Sequence, residues 1–133
     1  MKRLLLFTFF NLFLITSYGQ VLSWGKSIGS TGADYARSIF VDAAGNSFIV
    51  GQFTGTVDFD PGAGVQNLTS AGGSDVFILK LNSAGNYSFV KRVGGGGEDI
   101  AYDVAVDGNG IIYVTGSFEI TVDFDPGAGV SNR

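Results

Sequence analysis

The sequence predicts an all-β chain assembled from tandem units of four short antiparallel strands. Three observations carry that expectation. Residues 56–65 read Thr-Val-Asp-Phe-Asp-Pro-Gly-Ala-Gly-Val, and the same ten letters return at residues 121–130, 65 positions later. The hydrophobic pattern beyond the N-terminus has period two, with no apolar stripe at i, i+3, i+4 over helical length. Turn-forming clusters of Gly, Asn, Asp and Ser interrupt it every eight to twelve residues or so.

The first element is an N-terminal leader. Met1-Lys2-Arg3 is a basic start, residues 4–15 are apolar except for Thr8 and Asn11, and Ser17 and Gly19 place small residues at −3 and −1 of a cut before Gln20. This is the pattern of a secretory signal peptide. The competing reading, a membrane anchor, needs roughly 20 apolar residues, more than this run provides. The expected organisation is a signal peptide at 1–19, a first repeat at 20–89 and an incomplete second repeat at 90–133, in a secreted or cell-surface protein with no membrane span after cleavage.

Without the leader, six basic residues face twelve acidic ones. That balance offers no basic patch to neutralise phosphates, so nucleic acid is excluded as a partner. The chain has no cysteine and no histidine, which removes thiolate and imidazole zinc sites, Cys/His or Ser/His nucleophilic pairs and histidine general bases. An exported chain without cysteine also depends on packing alone, with no disulfide to hold it.

Aligning the chain on itself at a shift of 65 pairs residues 24–68 with 89–133 without a gap, and 21 of the 45 pairs are identical. Fixed-period self-similarity indicates repeated supersecondary units that bury their faces against one another. Within a unit, residues 36–42 read as a strand with Ile39 and Val41 on one face. Ala43-Ala44-Gly45-Asn46 is a turn, since Gly and Asn tolerate positive φ, and residues 47–53 return. Residues 75–81 are apolar on both faces, as in a strand held between two layers. Asn82-Ser83-Ala84-Gly85-Asn86 turns the chain and residues 87–93 come back. The second copy repeats the first hairpin at 101–107 and 111–118, and Gly94 to Gly97 reads as a turn. Four antiparallel strands per unit with this turn spacing is the sequence form of a β-propeller blade. A sandwich or β-solenoid is the alternative, but a sandwich gives no reason for a gapless repeat.

Two stretches carry a family resemblance. Gly29-x-x-Gly32-x-Asp34-Tyr35-Ala36, followed by Ile39-x-Val41-Asp42-x-x-Gly45-Asn46-x-x-Ile49-x-Gly51, and the counterpart from Gly94 through Gly116 resemble the bacterial β-propeller repeat known as the SBBP repeat. Residues 67–80 look like its continuation in secreted proteins of Bacteroidetes. The resemblance implies an exported or surface-attached propeller, often part of a large protein. Propellers hold about four to eight blades, against about one and a half here, so a fragment of a longer protein is expected, with neighbouring blades as first partners.

The candidate site lies in the repeated decapeptide. An extended backbone points Val57 and Phe59 one way and Thr56, Asp58 and Asp60 the other. Two carboxylates on one face repel unless a cation or backbone donors compensate. An all-oxygen set at Asp58 and Asp60, repeated at Asp123 and Asp125, would suit calcium, although the distal glutamate of an EF-hand is missing, because Thr69 stands there. The favoured alternative is a turn: Pro61 fixes φ, Gly62 supplies positive φ and Asp60 accepts backbone N–H groups. On that reading residues 56–65 form a blade-connecting loop. A catalytic carboxylate pair is disfavoured, because an active site is needed once and these acids occur twice.

Asp34 and Asp99 are expected to act in turns or links between blades, and Asp42 and Asp107 to bond their own backbone. Trp24, Phe53, Phe89 and Phe118 are expected to pack between blades. Asn67-Leu68-Thr69 and Asn86-Tyr87-Ser88 match the N-glycosylation sequon. The functional expectation is a structural or binding scaffold without catalysis of its own. Its alternatives are a calcium-stabilised module that adheres to extracellular protein or glycan, and a non-catalytic part of a larger secreted hydrolase. No cofactor other than calcium is implied.

Overall fold

A computed structural model describes Gly19, residues 21–125, Gly127, Gly129 and residues 131–133. The expected signal peptide therefore lies outside the described residues, except for Gly19. Among those residues the protein is all-β, with nine strands and no helix. No described helix is long and apolar enough to cross a membrane.

Four strands make an antiparallel meander: β1 (Tyr35–Val41), β2 (Ser47–Phe53), β5 (Asp75–Leu81) and β6 (Tyr87–Gly95). This is the expected blade. Its strands start and stop within a residue or two of the sequence reading, because the same turn chemistry closes each hairpin. Asp42, Asn82 and Asp107 each accept, through one side-chain oxygen, the backbone N–H groups two and four residues further on. Gly45, Gly85 and Gly110 follow three residues later at φ 81°, 75° and 84°, in the left-handed region where a Cβ is penalised.

Register assigns the two faces. Ile39, Ile49, Leu79 and Val90 lie opposite one another across the four strands, as do Phe40, Phe48, Lys80 and Phe89. We call the Ile49–Leu79 side the front and the Phe48 side the back. As its apolar-on-both-sides sequence predicts, β5 is covered on both faces, with Val76, Phe77, Leu79 and Leu81 buried.

Two shorter elements occupy the front. β3 (Thr56–Asp58) pairs with β4 (Asn67–Thr69) as a hairpin between β2 and β5. The first copy of the decapeptide thus sits inside the first blade, which corrects the expectation of a blade-connecting loop for that copy. In the second copy Val122 and Asp123 pair with Gly95 and Gly94 and do join the two units. Alternation in the first copy is as expected: Val57 and Phe59 are about 1% exposed and join Phe53, Phe77, Leu79, Leu81 and Val90 in the front core, with Trp24 and Ile28 against them. Full burial of each such side chain is worth roughly 1.5–3 kcal/mol, so the inserted hairpin is held mainly by Val57 and Phe59.

The second unit contributes β7 (Ile100–Val106), β8 (Ile112–Ser117) and β9 (Val122–Asp123). β7 and β8 form a separate hairpin. Its Ala101, Val104, Val106 and Ile112 pack on the back of the first blade, against Phe48, Val50, Val76, Ile78, Phe89 and Val93. Ala101 and Val104 are the repeat equivalents of Ala36 and Ile39, so the front of the second unit docks on the back of the first. Strands β1 and β7 run side by side, joined where the Ser38 hydroxyl meets Asp103 Oδ1 at 2.6 Å.

The glycine run differs from the expected turn. Gly94 and Gly95 belong to β6 and pair with Asp123 and Val122 of β9. β6 also runs through residues 89 and 90, so the sheet and the sequence repeat are out of phase. Of the aromatics expected between blades, Phe89 lies at the junction of the two units. Trp24 and Phe53 instead belong to the front core, and Phe118 is half exposed.

Candidate functional site

The described residues of the two decapeptide copies make the same hydrogen bonds. Asp58 Oδ1 accepts the N–H groups of Asp60 (3.0 Å) and Gln66 (2.7 Å), and Asp60 Oδ1 accepts that of Gly62 (2.8 Å). In the second copy Asp123 Oδ1 accepts from Asp125 (3.0 Å) and Ser131 (2.7 Å), and Asp125 Oδ1 accepts from Gly127 (2.7 Å). Phe59 N–H donates to the Gln66 carbonyl and Phe124 N–H to that of Ser131. Each first aspartate thus ties the two arms of its hairpin together, while the second folds the tip.

Electrostatics follow from those donors. The Gln66 N–H, helped by that of Asp60, holds the Asp58 carboxyl below its usual value, and the Ser131 N–H does the same for Asp123. The mutual repulsion foreseen for paired carboxylates is met by backbone donors. Among the described residues no group of three or more acidic side chains gathers as a metal cluster. The arrangement is that of turn-forming acceptors.

A second set of aspartates pins the strand ends. Asp34 Oδ2 accepts the Ser30 N–H, and its Oδ1 accepts that of Thr54 at the end of β2. Sixty-five positions later Asp99 binds the Gly95 and Glu119 N–H groups in the same way. The Asp34 contacts lie within the first unit, whereas Asp99 joins Gly95 on β6 of the first blade to Glu119 just beyond β8, so the two acids fill the turn and blade-linking roles expected of them.

The sequence reading passed over Asp75, taking it as the first residue of a strand. It is fully buried, and its Oδ2 accepts the Ala71 N–H and pairs with Arg92 Nη1 at 2.6 Å. Its Oδ1 has no hydrogen-bond partner among the described residues. Burial pushes the Asp75 carboxyl up, with Asp99 adding to the rise, against the opposing pull of Ala71 and Arg92. The signal for this residue was in the sequence: Gly32-x-Asp34, Gly73-x-Asp75 and Gly97-x-Asp99 are one motif used three times.

At the turn end of the blades, the Asp42 and Asp107 turns flank a groove floored by Phe40, Phe48 and Val106. Lys80 Nζ stands 4.8 Å above the Phe48 ring there, a cation–π contact. The groove is formed by both units together and exists only because one docks on the other.

Comparison with known proteins gives one informative likeness. The chain is 26% identical over 116 residues to an uncharacterized WD repeat-containing protein, L264, of Acanthamoeba polyphaga mimivirus. The alignment covers 77% of this chain but 8% of that protein. No family model matches the chain, and no solved structure matches it. A repeat-containing relative agrees with the stacked, propeller-like units seen here.

Proposed function

We propose that the chain is a segment of an exported β-propeller-type scaffold, of the bacterial repeat kind that residues 29–51 and 94–116 resemble, which binds through its surface and carries no catalysis of its own. The observation that carries this reading is the docking of one unit's front on the preceding unit's back. It extends a surface by repetition and spends the conspicuous acids on turns. Repeat architectures of this type offer broad binding surfaces made from many similar units. The WD repeat-containing relative supports the scaffold reading, and the basic, apolar and small-residue order of residues 1–19 supports export.

The test is to express the full chain in a bacterial host and determine the N-terminus and location of the product. The expected product begins at Gln20 and is recovered outside the cytoplasm. A cytoplasmic product that retains Met1 would remove the exported part of the reading.

A further inference from the structure

Asp34, Asp75 and Asp99 share one geometry. Each accepts the N–H of the residue four before it, on Ser30, Ala71 and Gly95. Asp34 and Asp99 also accept the N–H of the residue twenty after, on Thr54 and Glu119, just past the returning strand. For Asp75 the residue twenty after is Gly95, the last of β6. Its N–H is already given to Asp99 Oδ2 at 2.8 Å. Two consecutive aspartates of the series therefore compete for one amide, and Asp75 goes without it. Asp75 keeps Arg92 on Oδ2, while its buried Oδ1 has no hydrogen-bond partner among the described residues. The carboxyl lies against the backbone that carries the contested amide. Asp75 precedes the Val76–Val93 pair across β5 and β6, and a Cβ on Gly94 would collide with that carboxyl.

We propose that the Gly95 amide is the moving part of a proton-controlled latch between the two units: Asp99 holds it while Asp75 is neutral, and it passes to Asp75 Oδ1 when Asp75 ionises. An ionised carboxylate can only accept hydrogen bonds, and burying one without donors costs far more than burying its neutral form. Ionisation therefore draws in the nearest amide. Asp99 fastens the second unit, since its own N–H donates to the Ser74 carbonyl at 2.7 Å, beside the bond from Gly73 N–H to the Gly97 carbonyl at 3.1 Å. Removing Gly95 from Asp99 loosens this link into β7, so the units are fastened at low pH and freer at high pH. The groups around Asp75 set where the change falls. Arg92 on β6 favours the ionised form, whereas burial and then Asp99 in the link oppose it. Glu98 and Glu119 flank Asp99, the Glu98 N–H meeting Glu119 Oε2. From β2, Phe53 stands opposite Asp75 and brings no charge, and β7 brings Asp103, which is engaged by Ser38. The latch goes beyond the scaffold reading and is independent of it, since it concerns how firmly successive units are joined, whatever their surface binds.

The test is a pH titration of the full chain followed by NMR, with aspartate labelled at the carboxyl carbon. The Gly95 amide proton should shift in step with the Asp75 carboxyl carbon. Hydrogen exchange at Gly73 and Asp99, corrected for the intrinsic rate, should become roughly tenfold faster once Asp75 is ionised, the effect of losing one charge-assisted hydrogen bond. Asp75→Asn, neutral at every pH, should abolish both the shift and the loosening. A Gly95 amide that does not follow the Asp75 carbon, or that moves equally in Asp75→Asn, would overturn the latch. So would corrected exchange at Gly73 and Asp99 that stays constant across the titration. The wild-type titration decides the matter by itself if the variant does not fold. Each readout is internal to the chain, so a failed latch leaves the scaffold reading standing.

Discussion

Ile120 has the one positive φ of a residue other than glycine among the described residues, 62°, and its repeat equivalent Gly55 has φ 67°. The two units therefore demand the same left-handed backbone at this turn, and only the first supplies the residue suited to it. A left-handed L-residue costs roughly 1–2 kcal/mol, and a β-branched one lies toward the upper end. Ile120 recovers little by packing, being 77% exposed. Ile120→Gly removes that strain but gives the unfolded chain more freedom, at about 0.5–1 kcal/mol. The net expectation is a gain of ~0.5–1 kcal/mol, or roughly 2–5 °C in midpoint for a chain of this size. The reciprocal Gly55→Ile should lose ~1–2 kcal/mol. Urea unfolding followed by circular dichroism and Trp24 fluorescence measures both, with the slope m reporting whether the denatured state has changed. A less stable Ile120→Gly, or a Gly55→Ile without cost, would refute the claim that the 65-residue equivalence reaches the backbone.

The same protein gives a paired core test. Phe59→Ala should cost ~3–5 kcal/mol, the range for a buried ring, whereas Phe124→Ala, 42% exposed, should cost ~1–2 kcal/mol; equal losses in urea melts would contradict the asymmetry between units. Asp42, Asp58, Asp107 and Asp123 are held below the usual 3.8 by hydrogen bonds, chiefly with Asn46, Gln66, Ile111 and Ser131. Their contribution is present above that value and is lost as pH falls through the lower folded values. Asp75 has the opposite sign: with its folded value raised, its contribution is present below 3.8 and lost as pH rises through that folded value. Midpoints measured across this window should pass through a maximum, and Asp75→Asn should flatten its alkaline side; an identical profile in the variant would exclude Asp75 as the cause. At neutral pH, millimolar calcium should leave the melting midpoint unchanged, and a rise abolished by Asp58→Asn with Asp60→Asn would establish a metal role.

Much of the blade was legible because its signals are local. Asp42, Asn82 and Asp107 each precede a glycine by three residues, and that chemistry fixes a turn whatever surrounds it. The alternation of Val57 and Phe59 likewise gave their shared face. The β3–β4 and β9 pairings were not legible, because two or three residues are too few to show a period of two. Gly94 and Gly95 read as a turn since glycine is poor in strands; their place in β6 depends on β9, close to them in space only after the second unit has docked. Ile39 and Val41 show the limit of periodicity. The pattern put them on one face, but both are more than half exposed, and whether a face is covered depends on a partner outside the local sequence. At the candidate site the aspartate pairs were visible, yet their role depended on donors as distant as Gln66. Asp75 was hidden by its place at the head of an apolar strand.

The bond between Ser38 and Asp103 sets a direction. These residues occupy the same position in successive units, and the hydroxyl donates a hydrogen bond to the carboxylate, which this bond helps to keep ionised. A serine can give one hydrogen bond and receive another, whereas an ionised aspartate can only receive. A third unit stacked in the same manner would place its equivalent residue against Asp103 and would have to offer a donor there, such as serine, threonine, lysine or arginine. A second aspartate at that place would repel the first. The order in which units can follow one another is therefore constrained at one side chain per unit, so that shape alone does not decide which unit comes next.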